Sequence, residues 1–147
     1  MIKRGADKLW RSLRLSIGRA VLTLIDDATM MQTVQMEGLP GEVLDGVERI
    51  QQYGFTSRPH AGAEAVFLAL GGQRQHSIVI ACEDRRYRVT GLETGEVCIY
   101  TDEDQDGTPH RIHFKRGRGI ELRAGASSIV MTPTEILLNA AHIGLND

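Results

Sequence analysis

Between residues 95 and 145 the sequence uses one short pattern over and over, and no other feature restricts the possible folds as strongly. Apolar residues stand two apart and then the chain turns: Val97/Ile99, Ile112/Phe114, Ile120/Leu122, Ile129/Met131, Ile136/Leu138 and Ile143/Leu145. Residues i and i+2 lie on one face of a strand. The breaks carry Gly, Pro, Asn or Asp, as in Asp106-Gly107, Gly117-Arg118-Gly119, Gly125 and Pro133, so the strands are short and the turns tight. From Ile112 the pairs begin at 112, 120, 129, 136 and 143, about every eight residues. That period is too short for a strand plus a helix, and each unit is a strand and a turn.

A ribbon so narrow cannot bury two aliphatic side chains by itself. A self-coiled solenoid needs about twenty residues or more per coil. The period therefore favours an intertwined homo-oligomer whose apolar faces meet on a common axis, the simplest closed form being a triangular β-prism with three-fold symmetry. On this reading the axial core is Val97, Ile99, Ile112, Phe114, Ile120, Leu122, Ile129, Met131, Ile136 and Leu138. The alternative is a meander packed on the preceding domain. After Leu138 the repeat runs on to Ile143 and Leu145 with no aromatic plug or helix to close it. Open strand edges and exposed aliphatic rings invite pairing, so the expected cover is either a natural chain continuing past Asp147 or a separate small tip protein.

Upstream the pattern changes. Strands are expected at residues 20–25, at 30–36 with alternating Met30, Gln32, Val34 and Met36, at 47–52, at 63–70 and at 77–82, with turns at Asp26-Asp27 and Gly71-Gly72-Gln73-Arg74 and a loop at 38–46. Five or so short strands without a helix predict a small closed barrel, for which an OB-fold is the natural candidate. Residues 1–19 hold six basic side chains against Asp7 alone, and Leu9, Leu13 and Ile17 fall at i, i+4 and i+8 beside Trp10. This predicts a short basic amphipathic helix ending near Gly18. Three readings compete, a docking helix, a membrane-surface helix and a phosphate-contacting arm; a stripe of about two turns is short for the membrane role, and docking on a protein partner through Leu9, Trp10, Leu13 and Ile17 is the favoured reading. The expected organisation is all-β: a docking helix at 1–18, the OB-fold barrel at 19–92 and the trimeric β-helix at 93–147.

The bulk properties exclude several classes. A chain of 147 residues makes one domain with an appendage or two small ones. A net charge of −2 argues against a dedicated polyanion binder. The longest apolar run, at 63–70, is interrupted by Glu64 and is far below membrane-spanning length. No apolar segment with a small-residue cleavage site opens the chain, so export by a signal peptide is not expected. Cys82 and Cys98 lie in strand-like runs and read as reduced, buried small hydrophobes.

Candidate chemistry is sparse. In His110-Arg111-Ile112-His113 the histidines are three apart, which on a strand turns them to opposite faces, His110 toward the axis and His113 toward solvent. The acidic run from Asp102 to Gly107 lacks the bidentate glutamate of a calcium loop and reads as a turn. The mixed charges from Glu83 to Arg88 read as a solvated or ion-paired edge. No nucleophile–base set and no phosphate loop preceding a helix stands in the sequence. Neither an enzyme nor a cofactor is expected.

Four stretches taken together resemble a known family. They are Gln52-Tyr53-Gly54-Phe55-Thr56-Ser57-Arg58-Pro59; Gly71-Gly72-Gln73-Arg74 with His76; Asp84-Arg85-Arg86-Tyr87-Arg88; and Gly95-Glu96-Val97 with Tyr100 before Arg111-Ile112-His113. In this order, over residues 19–123, they are similar to the Mu-like phage baseplate assembly proteins, the central spikes or tail-puncturing proteins of contractile-tailed phages. The resemblance implies an OB-fold domain followed by a trimeric β-helix. It also implies a mechanical role at the end of the tail tube, contact with baseplate hub or tube proteins and with the host outer membrane, and assembly in the host cytoplasm into the virion baseplate. Family members end in an apex where a His-x-His pair from each of three chains binds iron; this sequence has no His-x-His, so no metal is expected in it. The competing reading is an OB-fold module for single-stranded nucleic acid. It would need a basic groove with stacking aromatics, and three Phe, three Tyr and one Trp on surfaces that are not notably basic supply little of either.

Overall fold

The computed structural model describes residues 16–104 and 107–144. The chain divides into two compact units, Met1–Arg85 and Arg86–Asp147.

The first unit is built from β1 (Ile17–Asp26), β2 (Thr33–Glu37), β3 (Val43–Arg49), β4 (Glu64–Ala69) and β5 (Ser77–Glu83). They close into a barrel in the order β1-β2-β3-β5-β4. All pairings are antiparallel except β3 with β5, which run parallel through Glu48↔Ile78 and Arg49↔Val79. Alternation fills the interior: Ala65, Phe67 and Ala69 point inward from β4, Val34 and Met36 from β2, and Leu22, Leu44, Val47 and Val79 complete the core. Burying side chains of this size stabilises by roughly 1.5 to 3 kcal/mol each before conformational entropy is set against it. Phe67 is the largest fully buried side chain, in a core that also holds the small residues Ala20, Ala65 and Ala69.

The barrel corrects three sequence expectations. Ile17, assigned to a helix, opens β1 opposite Leu68. Closing the barrel requires residues 17–21 as a strand, since a helix there would leave the hydrogen-bonding edge of β4 unpaired. Leu9, Trp10 and Leu13 lie outside the described residues. Met30 is not in β2, which starts at Thr33; it stands fully exposed in the preceding turn. The loop expected at 38–46 is shorter, because β3 already begins at Val43.

The second unit holds β6 (Val97–Tyr100), β7 (His110–Lys115), β8 (Gly119–Ala124), β9 (Ser127–Met131) and β10 (Ile136–Asn139). Each strand pairs antiparallel with the next, giving a five-stranded meander. Five of the six aliphatic pairs mark strands, as expected. The sixth does not: Ile143 lies outside any strand, and Leu145 is outside the described residues. Both cysteines are free, and they are half-buried instead of buried.

Candidate assembly surface

The register of the meander brings all ten predicted axial residues onto one face. Val97 faces Phe114, Phe114 faces Ile120, Ile120 faces Met131 and Met131 faces Ile136; in the adjacent row Ile99 faces Ile112, Ile112 faces Leu122, Leu122 faces Ile129 and Ile129 faces Leu138. The result is two unbroken rows of five. The face is open: Val97 is 55% exposed, Ile136 66% and Leu138 50%. A groove of about 620 Å3 runs over the second row, with Ile99, Ile112, Leu122, Ile129 and Leu138 in its lining and His110 at its side. Monomeric proteins rarely leave contiguous apolar patches larger than a few hundred Å2 uncovered. Cross-strand neighbours this close make one continuous surface.

The opposite face carries the order usually found in a core. His113 is buried, its Nε2 3.1 Å from Oε2 of Glu96. Glu96 also accepts from the backbone N–H groups of Arg116 at 3.0 Å and Glu93 at 3.1 Å. These backbone donors, first that of Arg116, hold the Glu96 carboxyl below its ordinary pKa. Glu121 is also buried and bridges Lys115 and Arg123, and the bond from Lys115 above all lowers its pKa. Asp104 accepts from the His110 backbone at 2.6 Å and from Arg111 at 2.8 Å, pinning the acidic turn to β7. Burial raises the pKa of the neighbouring Cys98 thiol.

His113 therefore does not face solvent as the strand alternation suggested. The turn through Glu93 and Glu96 folds over it. The signal available in the sequence was Glu96 just ahead of the first repeat, a carboxylate close enough along the chain to reach a histidine on the neighbouring strand. His110 lies on the apolar side as expected, with its Nδ1 2.7 Å from the Thr101 hydroxyl. Among the described residues no group of three or more His, Cys, Asp or Glu side chains is placed to hold a metal ion.

A closed barrel followed by a strand-and-turn sheet with ion-paired carboxylates on one face and exposed apolar rows on the other defines the class as an all-β protein of two units. Residues 19–86 match the family described as Bacteriophage Mu Gp45, N-terminal. The chain is 42% identical over 139 residues to the baseplate puncturing device gp45 of Escherichia phage Mu, covering 90% of this chain and 68% of that protein. It is 38% identical over 99 residues to the Mu-like prophage FluMu protein gp45 of Haemophilus influenzae, covering 67% of this chain and 54% of that protein. The chain belongs to this family of Mu-like phage baseplate spike proteins.

Proposed function

We propose that the chain is the central spike at the end of a contractile phage tail tube, a structural virion protein that acts mechanically in baseplate assembly and in penetration of the host envelope. The observation that carries this reading is the pair of five-residue apolar rows, exposed on a sheet whose other face is closed by ion pairs. Three copies wrapped as a β-prism would turn these rows onto a common axis and pair the outer edges of β6 and β10 between chains. Each aliphatic pair so buried contributes roughly 3 to 5 kcal/mol before entropy. A strand in such a prism cannot leave without opening hydrogen bonds on both edges, which is the source of its stiffness.

In this reading the barrel is of OB type, its strand order and parallel β3–β5 closure fitting that fold, and it joins the spike to the hub or tube. The N-terminal segment with Leu9, Trp10 and Leu13 docks on another baseplate component. The spike contacts the host outer membrane, holds no metal within these 147 residues, catalyses no reaction, and is assembled in the host cytoplasm before entering the virion baseplate. The functional test is a phage in which this chain is replaced by a variant that cannot self-associate. Tails lacking the spike and particles unable to infect are expected; normal infectivity would refute the proposal.

A further inference from the structure

The aromatic half of the stretch from Gln52 to Pro59 has no task inside the barrel. Its polar half does. Ser57 accepts at its backbone carbonyl from Arg49 Nη1 at 2.7 Å and from Gln32 Nε2 at 3.0 Å; its hydroxyl accepts from Arg49 Nη2 at 2.9 Å, and its N–H donates to Gln51 Oε1 at 2.7 Å. Arg58 donates to the Ile25 carbonyl at 3.2 Å. Gln32, itself buried, also bonds Asp27 and Arg49. These bonds latch the β3–β4 loop to the β1–β2 turn. On the latched loop a tight turn, closed by the Phe55 N–H on the Gln52 carbonyl at 3.0 Å with Gly54 at φ 85°, leaves Tyr53 103% and Phe55 65% exposed, and the neighbouring turn adds the exposed Met30 and Met31.

We infer that this end of the barrel is the docking surface for a different baseplate protein, one that offers an apolar pocket bordered by basic side chains. The inference rests on the spike reading above and names the contact it needs. Tyr, Phe and Met are the residue types enriched at interface cores, and aromatics on a loop already held in place lose little entropy on binding. Charge selects the occupant. Asp26, Asp27 and Glu48 stand exposed on the elements that carry the cluster. Arg49 and Arg58 bond only neutral carbonyl and hydroxyl oxygens here and keep their positive charge, so three carboxylates stand against two guanidiniums and this end is net acidic. A second copy presenting the same end would bring these carboxylates against their own kind, whereas a basic border complements them.

The test adds purified full-length chain to tails assembled without it and measures the chain retained on sedimented particles. Tyr53→Ser/Phe55→Ser is expected to lower retention at least about tenfold while leaving the mass in solution and the thermal melt unchanged. Glu48→Lys is expected to lower it several-fold, by a factor that shrinks as salt rises. Retention of the double variant at the wild-type level overturns the docking assignment. So does loss of self-association in the double variant, which would place the aromatics between copies of this chain, or capture of the wild type by neutral phosphatidylcholine vesicles through the same two residues. Wild-type chain that is not retained at all overturns the spike reading first and the docking surface with it.

Discussion

Gly18 and Phe67 face each other across the seam where β1 and β4 close the barrel, so closely that a β-carbon added to Gly18 would lie 2.3 Å from Phe67 Cζ. No real side chain fits that gap without a shift, and Phe67 is fully buried. Gly18→Ala is expected to cost about 1 to 3 kcal/mol, the range for overpacking. Phe67→Leu should cost a comparable amount through lost packing. Because the alanine methyl would fill part of the space the ring vacates, the double variant should be more stable than the sum of the two losses implies. Urea unfolding of the full chain followed by circular dichroism checks this; additive losses would mean that the two residues do not share the gap.

How far the fold was legible follows from where alternation holds. In β4 every second residue is inward, and the sequence marks the strand directly. In β3 the inward residues are Leu44 and Val47, three apart, because Asp45-Gly46 forms a bulge with Gly46 at φ 63°, and two residues of β2 span three of β3. A period-2 search cannot see a strand that changes face midway, so the first half of β3 reads as loop. Met30 seemed to extend β2 because it continues the alternation, yet the latch at Gln32 ends the strand there. In the second unit the common face of the ten apolar residues was legible because no bulge interrupts the ladder from β6 to β10. His113 was not, since its burial comes from a turn and not from its own strand.

The Glu42–Arg74 pair gives the barrel an acid-sensitive contact. Arg74 grips both oxygens of Glu42, which also accepts from the Leu39 N–H at 3.0 Å, and the guanidinium lies 4.9 Å from the centre of the Phe67 ring. The bond from Arg74 lowers the Glu42 pKa. A carboxyl depressed in the folded state stabilises above its unfolded pKa and loses that contribution as pH falls through the folded value. The melting temperature should therefore drop as pH falls below about 4.3. Glu42→Gln should cost on the order of 1 kcal/mol at pH 7 and flatten the slope in that window. An unchanged slope would show that Glu42 is not responsible.

Elemental analysis of the purified 147-residue chain is expected to find no stoichiometric iron. The five histidines, at 60, 76, 110, 113 and 142, include no His-x-His. His113 is occupied by Glu96, and His110 by Thr101. One iron per three chains would place a site that neither the spacing nor the described geometry provides.

Light scattering at known concentration is expected to give three times 16.2 kDa, about 49 kDa, and the species should persist in mild detergent at room temperature. Two open rows of apolar side chains, on a sheet whose outer strands β6 and β10 each pair with one strand among the described residues, are poorly suited to a lone chain in water. A monomer in dilute solution would remove the β-prism from the proposal.

The assignment of the inward face is tested by contrasting substitutions on one hairpin. Ile120 and Met131 are direct cross-strand partners in the first apolar row, whereas Arg118 sits in the turn that leads into β8. Around a three-fold axis a single Ile120→Asp or Met131→Arg places three like charges together in an apolar environment. The desolvation cost is several kcal/mol per ion, more than the roughly 3 to 5 kcal/mol that an aliphatic pair contributes. Both variants should therefore fail to self-associate, and the free chain should keep its barrel. Arg118 is exposed and is the one non-glycine among the described residues with positive φ, at 66°. Arg118→Ala should assemble normally, and Arg118→Gly, which relieves the left-handed backbone, should gain about 1 kcal/mol. Sedimentation of the four variants separates the possibilities. Normal assembly of the Asp and Arg variants would mean that the two rows face outward and that the opposite face, with Glu121 and His113, lines the axis.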